Sequence, residues 1–471
     1  MSFISPEFCY LALIFFSIYW YLKPHKAIQR YFLTVTSYLF YASWSIKFTF
    51  ILFIYTTLIW LLGKWIRTQD SKEMINKMKV SIIISLSLSL LFITKYYSFI
   101  RELIVEALLE SGIQQPLPLI DIIIPAGISF FTFQAITFLV WQKDVEDSAD
   151  LKKQITFADF LLYLAFWPTL FAGPIFRARD FFTQLYADHV GRPIQTEKAI
   201  FFILLGLFQK VVLSHWLAIT FVEDVFTDPE KQNILTVSSG AWAYALQIFF
   251  DFSGYSLLVT GLGFLLGFQI PINFKQPYLA KNLQDFWKRW HISLSSFIRD
   301  YIYIPLGGNQ GSFTRTQMNI MIAMTLSGIW HGANSTFFIW GVLHALGVVL
   351  ININQNLIKI NFSEIISRVI TIIFICVAWI FFRSETLDQA LMILQKSLNV
   401  SGTFTSIHLQ LFLFTIAFFK LSSRTEMIEQ WCIRKITQYW GWRLFSIITI
   451  LVYLIIFAGP TGVPAFIYYR F

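Results

Sequence analysis

Apolar residues fall along this chain in runs separated by short polar stretches, at 6–22, 31–46, 48–66, 79–99, 119–140, 156–175, 199–219, 236–268, 317–331, 335–353, 366–383, 407–421 and 443–460. Crossing a hydrocarbon core of ~30 Å takes about 20 apolar residues in a helix. The pattern predicts an all-α polytopic membrane protein with about ten to twelve transmembrane helices plus re-entrant or interfacial helices. The run 236–268 is too long for one plain span and predicts a break near Gly254. No stretch is polar enough for a separate soluble domain and no tandem repeat is visible, so 1–471 reads as a single membrane domain. The first run has no basic region before it and no small-residue cleavage site after it, so it reads as a retained span.

The segment 284–301 has a different pattern. At about 100° per residue, Phe286, Trp287, Trp290, Leu294, Phe297 and Tyr301 share one face. Asp285, Lys288, Arg289, Ser295 and Arg299 take the other. That predicts an amphipathic helix lying in the membrane interface, carrying the run Trp290-His291-Ile292-Ser293, with His291 at the border of the faces. Pro305, Gly307 and Gly308, just before Asn309, predict a tight turn after it.

Composition sharpens this picture. Hydrophobic residues make up 56% and charged residues 13%, against about 25% charged in soluble proteins. That removes the two or three soluble domains suggested by length. The 51 Phe and 16 Trp suit lipid-facing surfaces and headgroup belts. The net charge of +9 points to basic cytoplasmic loops and not to nucleic-acid binding. Lys23, Lys26 and Arg30, then Lys64, Arg67, Lys72, Lys77 and Lys79, then Lys275, Lys281, Lys288, Arg289 and Arg299 form basic groups expected on the cytoplasmic side. The N-terminus is then outside, as is the acidic stretch around Glu102, Glu106 and Glu110. Counting every run as one crossing puts the third basic group outside. The bias therefore requires two crossings within 236–268, or one run before it that does not cross. Cys9, Cys376 and Cys432 are far apart in or near apolar segments and fit neither a zinc site nor a disulfide framework.

Candidate chemistry rests on polar residues in apolar settings. His331 lies in Leu326-Ser327-Gly328-Ile329-Trp330-His331-Gly332-Ala333-Asn334. Ionisable groups at membrane depth are costly and face a protein interior or a wet cavity. A hydrogen-bonded structural histidine and a general base that takes a hydroxyl proton both fit. For His291 the alternatives are an incidental member of an anchoring helix or a site residue. His344 follows His331 by 13 residues; on one straight helix the two stand about 20 Å apart and roughly 140° out of phase. They make no metal pair unless the chain breaks between them, and no metal site is expected. Asp251, among aromatics, needs a partner, and Lys210 in its own apolar run is the candidate. There is no nucleophile elbow, P-loop or dinucleotide fingerprint. His25, His189, His215 and His408 read as structural or loop residues.

Two motifs then carry a resemblance. The first is Asp285-Phe286-Trp287-Lys288-Arg289-Trp290-His291-Ile292-Ser293-Leu294-Ser295, running through Phe297-Ile298-Arg299-Asp300-Tyr301 to Ile304-Pro305-Leu306-Gly307-Gly308-Asn309. The second is Gly328-Ile329-Trp330-His331-Gly332-Ala333, followed by Trp340-Gly341-Val342-Leu343-His344. Supporting matches are Ile124 to Gln134, Ala172-Gly173-Pro174-Ile175 with Arg177, Asp251 to Ser256, and the ending 466–471. Together they resemble the membrane-bound O-acyltransferases, and within them the alginate and peptidoglycan O-acetylation subgroup. Leu257 and Ala345 depart from the pattern, at positions where Asp and Gly are common in relatives.

The resemblance implies helices around a central tunnel in a bacterial inner membrane. It implies His331 as catalytic and His291 as a second active-site or tunnel histidine. Trp330, Asn334, Trp287, Trp290, Asp251 and Asn309 are the expected substrate-binding residues, with Phe338 beside Trp330 as a wall. It further implies no bound cofactor, acetyl-CoA as a cytoplasmic acyl donor, and a periplasmic partner of the SGNH esterase type that passes the acetyl group to an envelope polysaccharide. The competing readings are a D-alanyl transferase fed by a carrier protein and an envelope-glycan transporter. A transporter predicts matched broken helices in inverted repeats, and none is visible.

Overall fold

The computed structural model describes residues 3–67, 73–112, 124–143, 148–187, 195–398, 402–439 and 441–458. His189 and the ending 466–471 lie outside the described residues. Among the described residues every regular element is helical. Ile46–Ile66, Met78–Tyr97, Thr196–Thr227, Ile234–Leu265, Ser335–Ile358 and Glu364–Arg383 are long and apolar enough to cross a membrane. The pair Ser406–Ser422 and Thr425–Gln438, bent by 74°, adds a seventh if it is one span. Pro6–Tyr21 and Trp442–Ala458 are shorter apolar helices. The chain is therefore an all-α polytopic membrane protein. The apolar run 156–175 does not become one straight crossing. Only Phe157–Ala165 is helical there, and nine residues rise about 13 Å.

Two compact units emerge, residues 1–199 with 259–271 and residues 200–258 with 272–471. The first is built on helix Ile128–Lys143, which is buried along nearly its whole length. Phe138 on that helix packs on Phe160 at 4.3 Å, and Phe181 stacks on Phe268 at 5.3 Å. Polar groups inside this unit bond to one another: the Tyr163 hydroxyl donates to the Phe176 carbonyl at 2.9 Å. Aromatic rings thus fill the interior, so the Phe-rich composition serves the core as well as any lipid-facing surface.

The second unit holds both motif histidines, and two expectations change there. Helix Ile234–Leu265 runs unbroken, so no break occurs near Gly254. Its 32 residues rise about 48 Å, more than the hydrocarbon core. Gly254 serves close approach instead. A β-carbon on it would lie 2.8 Å from the Gly206 carbonyl oxygen, and one on Gly206 would lie 2.6 Å from the Gly254 oxygen. One turn along from this crossing, Lys210 and Asp251 form the ion pair the sequence suggested, N to O 2.5 Å, each 5% exposed.

The segment 284–301 is not one helix. It divides into Leu283–Trp287, Ile292–Ile298 and a π-helical turn Arg299–Tyr303. The break is at His291, whose φ of +43° is left-handed, a conformation that non-glycine residues rarely adopt. Asn273 sustains it: its carbonyl accepts from the Ile292 N–H at 2.9 Å, and its Oδ1 accepts from the Ser293 N–H at 3.2 Å and the Ser293 hydroxyl at 2.6 Å. The alternation of apolar and polar residues reported burial correctly, since Phe286, Trp290, Leu294 and Phe297 are core residues. It did not report continuity, so the helical faces drawn across the break do not exist.

Candidate active site

His331 is the last residue of helix Phe313–His331. Gly332 ends that helix and Asn334 caps the next, Ser335–Ile353, so three residues reverse the chain. The two helices meet at glycines. A β-carbon on Gly328 would lie 2.5 Å from the Phe337 carbonyl oxygen and 2.7 Å from the Gly341 Cα. This close crossing brings the face carrying His331 against the face carrying Trp340.

The His331 imidazole is 4% exposed and ringed by aromatics. It meets Trp330 at 4.8 Å, Trp340 at 5.1 Å and Phe382 at 5.0 Å, all edge to face, with Phe337 at 6.3 Å. Trp340 also carries His344, at 4.7 Å. The straight-helix estimate for the two histidines therefore does not apply. The chain does break between them, and both rings stand on one indole. Trp287, from the first motif, contacts His344 at 5.1 Å and Trp340 at 5.8 Å. Two sequence motifs thus meet in one aromatic cluster.

His291 is 1% exposed and sits on Phe252 at 4.7 Å, edge to face. Burial pushes its pKa down to about 3, so the ring is neutral at ordinary pH. It joins the His331 cluster through neighbours. Trp290 contacts Trp379 at 5.0 Å, and Trp379 contacts Trp340 at 5.9 Å and Phe382 at 5.2 Å. Trp290 is a core residue, 2% exposed, packed on Phe249, Phe274, Phe286 and Tyr278.

Other expected site residues stand differently. Asp251 spends its carboxylate on Lys210, while its neighbour Phe252 touches His291. The Asn334 side-chain oxygen accepts from the Thr336 N–H at 3.2 Å, and its amide donates to the Glu385 carbonyl at 2.6 Å. Its hydrogen bonds hold the hairpin turn. Asn309 lies in an exposed turn, where the Tyr303 hydroxyl donates to it. Phe338 points outward, 48% exposed, so it walls nothing around His331; Phe382 and Phe337 do that. Trp340, Phe382 and Trp379 were not singled out as site residues. The cue for Trp340 was present in the sequence: a Gly followed by an Asn cap marks a helix end and a new start, which turns the spacing after His331 into a hairpin. Among the described residues no group of three or more His, Cys, Asp or Glu side chains is placed to hold a metal ion.

Comparison with known proteins identifies the family. The profile of the membrane-bound O-acyltransferase family matches residues 37–387, which include both motifs. The chain is 34% identical over 406 residues to the probable alginate O-acetylase AlgI of Pseudomonas syringae pv. tomato, covering 83% of this chain and 74% of that one. It is 32% identical over 309 residues to the peptidoglycan O-acetyltransferase of Helicobacter pylori, covering 60% and 58%. A teichoic acid D-alanyltransferase of Streptococcus thermophilus is 30% identical over 241 residues, covering 48% and 56%. A polytopic helical chain, a motif pair meeting at one aromatic cluster and a family match over most of its length have a single reading: the chain belongs to the membrane-bound O-acyltransferase family and is an acyltransferase.

Proposed function

We propose that this protein transfers an acetyl group from a cytoplasmic thioester, acetyl-CoA, toward O-acetylation of a cell-envelope polysaccharide of the alginate or peptidoglycan type. The observation that carries the proposal is His331, a buried imidazole held by Trp340 and Phe382 at the end of its helix. In the mechanism, His331 takes the proton from an incoming hydroxyl as its oxygen attacks the thioester carbonyl. The tetrahedral intermediate collapses, the C–S bond breaks, and the imidazolium returns the proton to the departing thiolate. The neutral His291 sits on the donor side and helps place the thioester. Acetyl-CoA is too highly charged to cross the bilayer, whereas a protein-lined tunnel lets its acetyl end reach the buried imidazole.

The attacking hydroxyl belongs to a periplasmic partner of the SGNH esterase type, which holds the acetyl group as an ester until a hydroxyl of the polymer displaces it. The charge bias supports a cytoplasmic place for the basic groups, and the likeness to bacterial O-acetylases supports a bacterial inner membrane. Acetyl is favoured over D-alanyl because the O-acetylase relative is matched over 83% of the chain and the D-alanyltransferase over 48%. The test is mass analysis of envelope glycans from cells carrying wild type or His331→Gln. The expected result is loss of O-acetyl groups with normal accumulation of the variant protein. Unchanged O-acetylation in His331→Gln cells would exclude the proposal.

A further inference from the structure

Trp287, Trp340 and His344 are three rings in mutual contact, with centroids 5.1, 4.7 and 5.8 Å apart. Trp340 and His344 are 1% and 0% exposed. Neither nitrogen of His344 has a hydrogen-bond partner among the described residues, and neither do the indole N–H groups of Trp287 and Trp340. Buried polar groups are nearly always met, because an unmet one forfeits its hydration with nothing in return. Four such atoms on three touching side chains mark a place that receives a polar ligand.

The chemistry of the atoms narrows the ligand. An indole only donates, and a neutral imidazole donates once and accepts once. These rings therefore suit a slim group rich in carbonyl acceptors with an N–H of its own. They supply no counter-charge, so a phosphate or carboxylate does not belong there. Amides joined to a thioester fit on every count.

Position supports the same ligand. His344 and Asn352 lie on one helix, eight residues or about 12 Å of rise apart. Around Asn352 the side-chain amides form a half-buried group: Gln284 donates to Asn352 at 2.6 Å, and Asn352 donates to Gln317 at 2.9 Å. Gln284 is on the same short helix as Trp287. The order along this face is thus an amide cluster, then Trp287 with His344, then Trp340 with His331.

We propose that His344, with the indole N–H groups of Trp287 and Trp340, binds the amide-bearing arm of the acyl-thioester donor and sets its carbonyl at His331. The inference rests on the acetyl-transfer reading above. The test is titration of the purified protein in lipid nanodiscs with acetyl-CoA and, separately, with S-acetylpantetheine, which carries the arm without the nucleotide. His344→Phe keeps a ring and removes both nitrogens; it is expected to weaken binding of both probes about tenfold without lowering the thermal midpoint. His344→Gln, which restores a donor and an acceptor, is expected to recover most of the affinity. Should His344→Phe fail to accumulate, Trp287→Phe at the half-buried ring gives the same comparison. Wild-type binding of acetyl-CoA with unchanged affinity in these ring variants overturns this inference alone. A wild-type protein that binds neither probe overturns it together with the reading of the donor.

Discussion

Gly328 and Gly341 meet backbone to backbone where the helices of the His331 hairpin cross, and neither has room for a β-carbon. At Gly328 the obstruction is the Phe337 carbonyl oxygen at 2.5 Å; at Gly341 it is the Met324 oxygen at 2.9 Å and the Gly328 Cα at 3.0 Å. Backbone atoms cannot rotate away, so the helices must separate. His331 lies one turn beyond Gly328 and Trp340 is next to Gly341, so separation pulls the imidazole from its indole. Gly328→Ala is expected to cost about 1–3 kcal/mol and to abolish O-acetylation, with Gly341→Ala milder in both. Thermal unfolding in detergent and glycan analysis check the order; equal wild-type behaviour in both variants would refute the crossing.

The Lys210–Asp251 pair makes a different kind of prediction. Both groups are buried beside the Gly206–Gly254 contact. Removing one partner leaves an uncompensated charge and costs about 3–5 kcal/mol, whereas replacing both with apolar residues is often neutral. Asp251→Leu and Lys210→Met are each expected to reduce accumulation of folded protein sharply. The double variant is expected to restore it and to retain activity, because the two charges meet each other inside the fold. Detergent-solubilised yield and transfer activity read the result; a folded but inactive double variant would assign Asp251 a role in substrate binding.

Much of this was legible in the sequence, for physical reasons that also explain the failures. Apolar runs gave the helices because lipid tolerates little else. A lysine and an aspartate stranded in separate apolar runs pointed to each other because a lone buried charge is costly. What stayed hidden depended on contacts distant along the chain. The left-handed turn at His291 is held by Asn273, and nothing in the local pattern of 284–301 signals that. Gly254 looked like a helix breaker, yet the helix runs through it because Gly206 needs the space. His344 was set far from His331 by a straight-helix geometry that Gly332 and Asn334 cancel.

Asn334 separates a structural role from a binding role. Its oxygen caps the second helix and its amide holds the Glu385 carbonyl. Losing an N-cap costs about 1 kcal/mol. Asn334→Ala is therefore expected to lower the thermal midpoint by a few degrees while leaving kcat and KM per folded molecule near wild type. Asn334→Asp, which keeps the capping oxygen and loses the donor to Glu385, is expected to fall between. A raised KM at unchanged stability would mean that the side chain contacts substrate.

The last prediction concerns pH. Burial holds the folded-state pKa of His291 at about 3, well below its ordinary value of 6.5. Once unfolded, the ring takes up a proton below pH 6.5, and the folded protein does not until far lower. The unfolded state thus binds more protons between those values, and stability must rise with pH across that window. The contribution of this ring is complete above about pH 6.5 and is lost progressively as pH falls toward 3. His291→Asn removes the titration and suits the left-handed backbone, which asparagine tolerates. Thermal midpoints between pH 7.5 and 5 are expected to decline in wild type and to change less in His291→Asn. Identical slopes in the two proteins would mean that the His291 ring takes up its proton at the same pH folded as unfolded, and a folded-state pKa held down by burial would have to be abandoned.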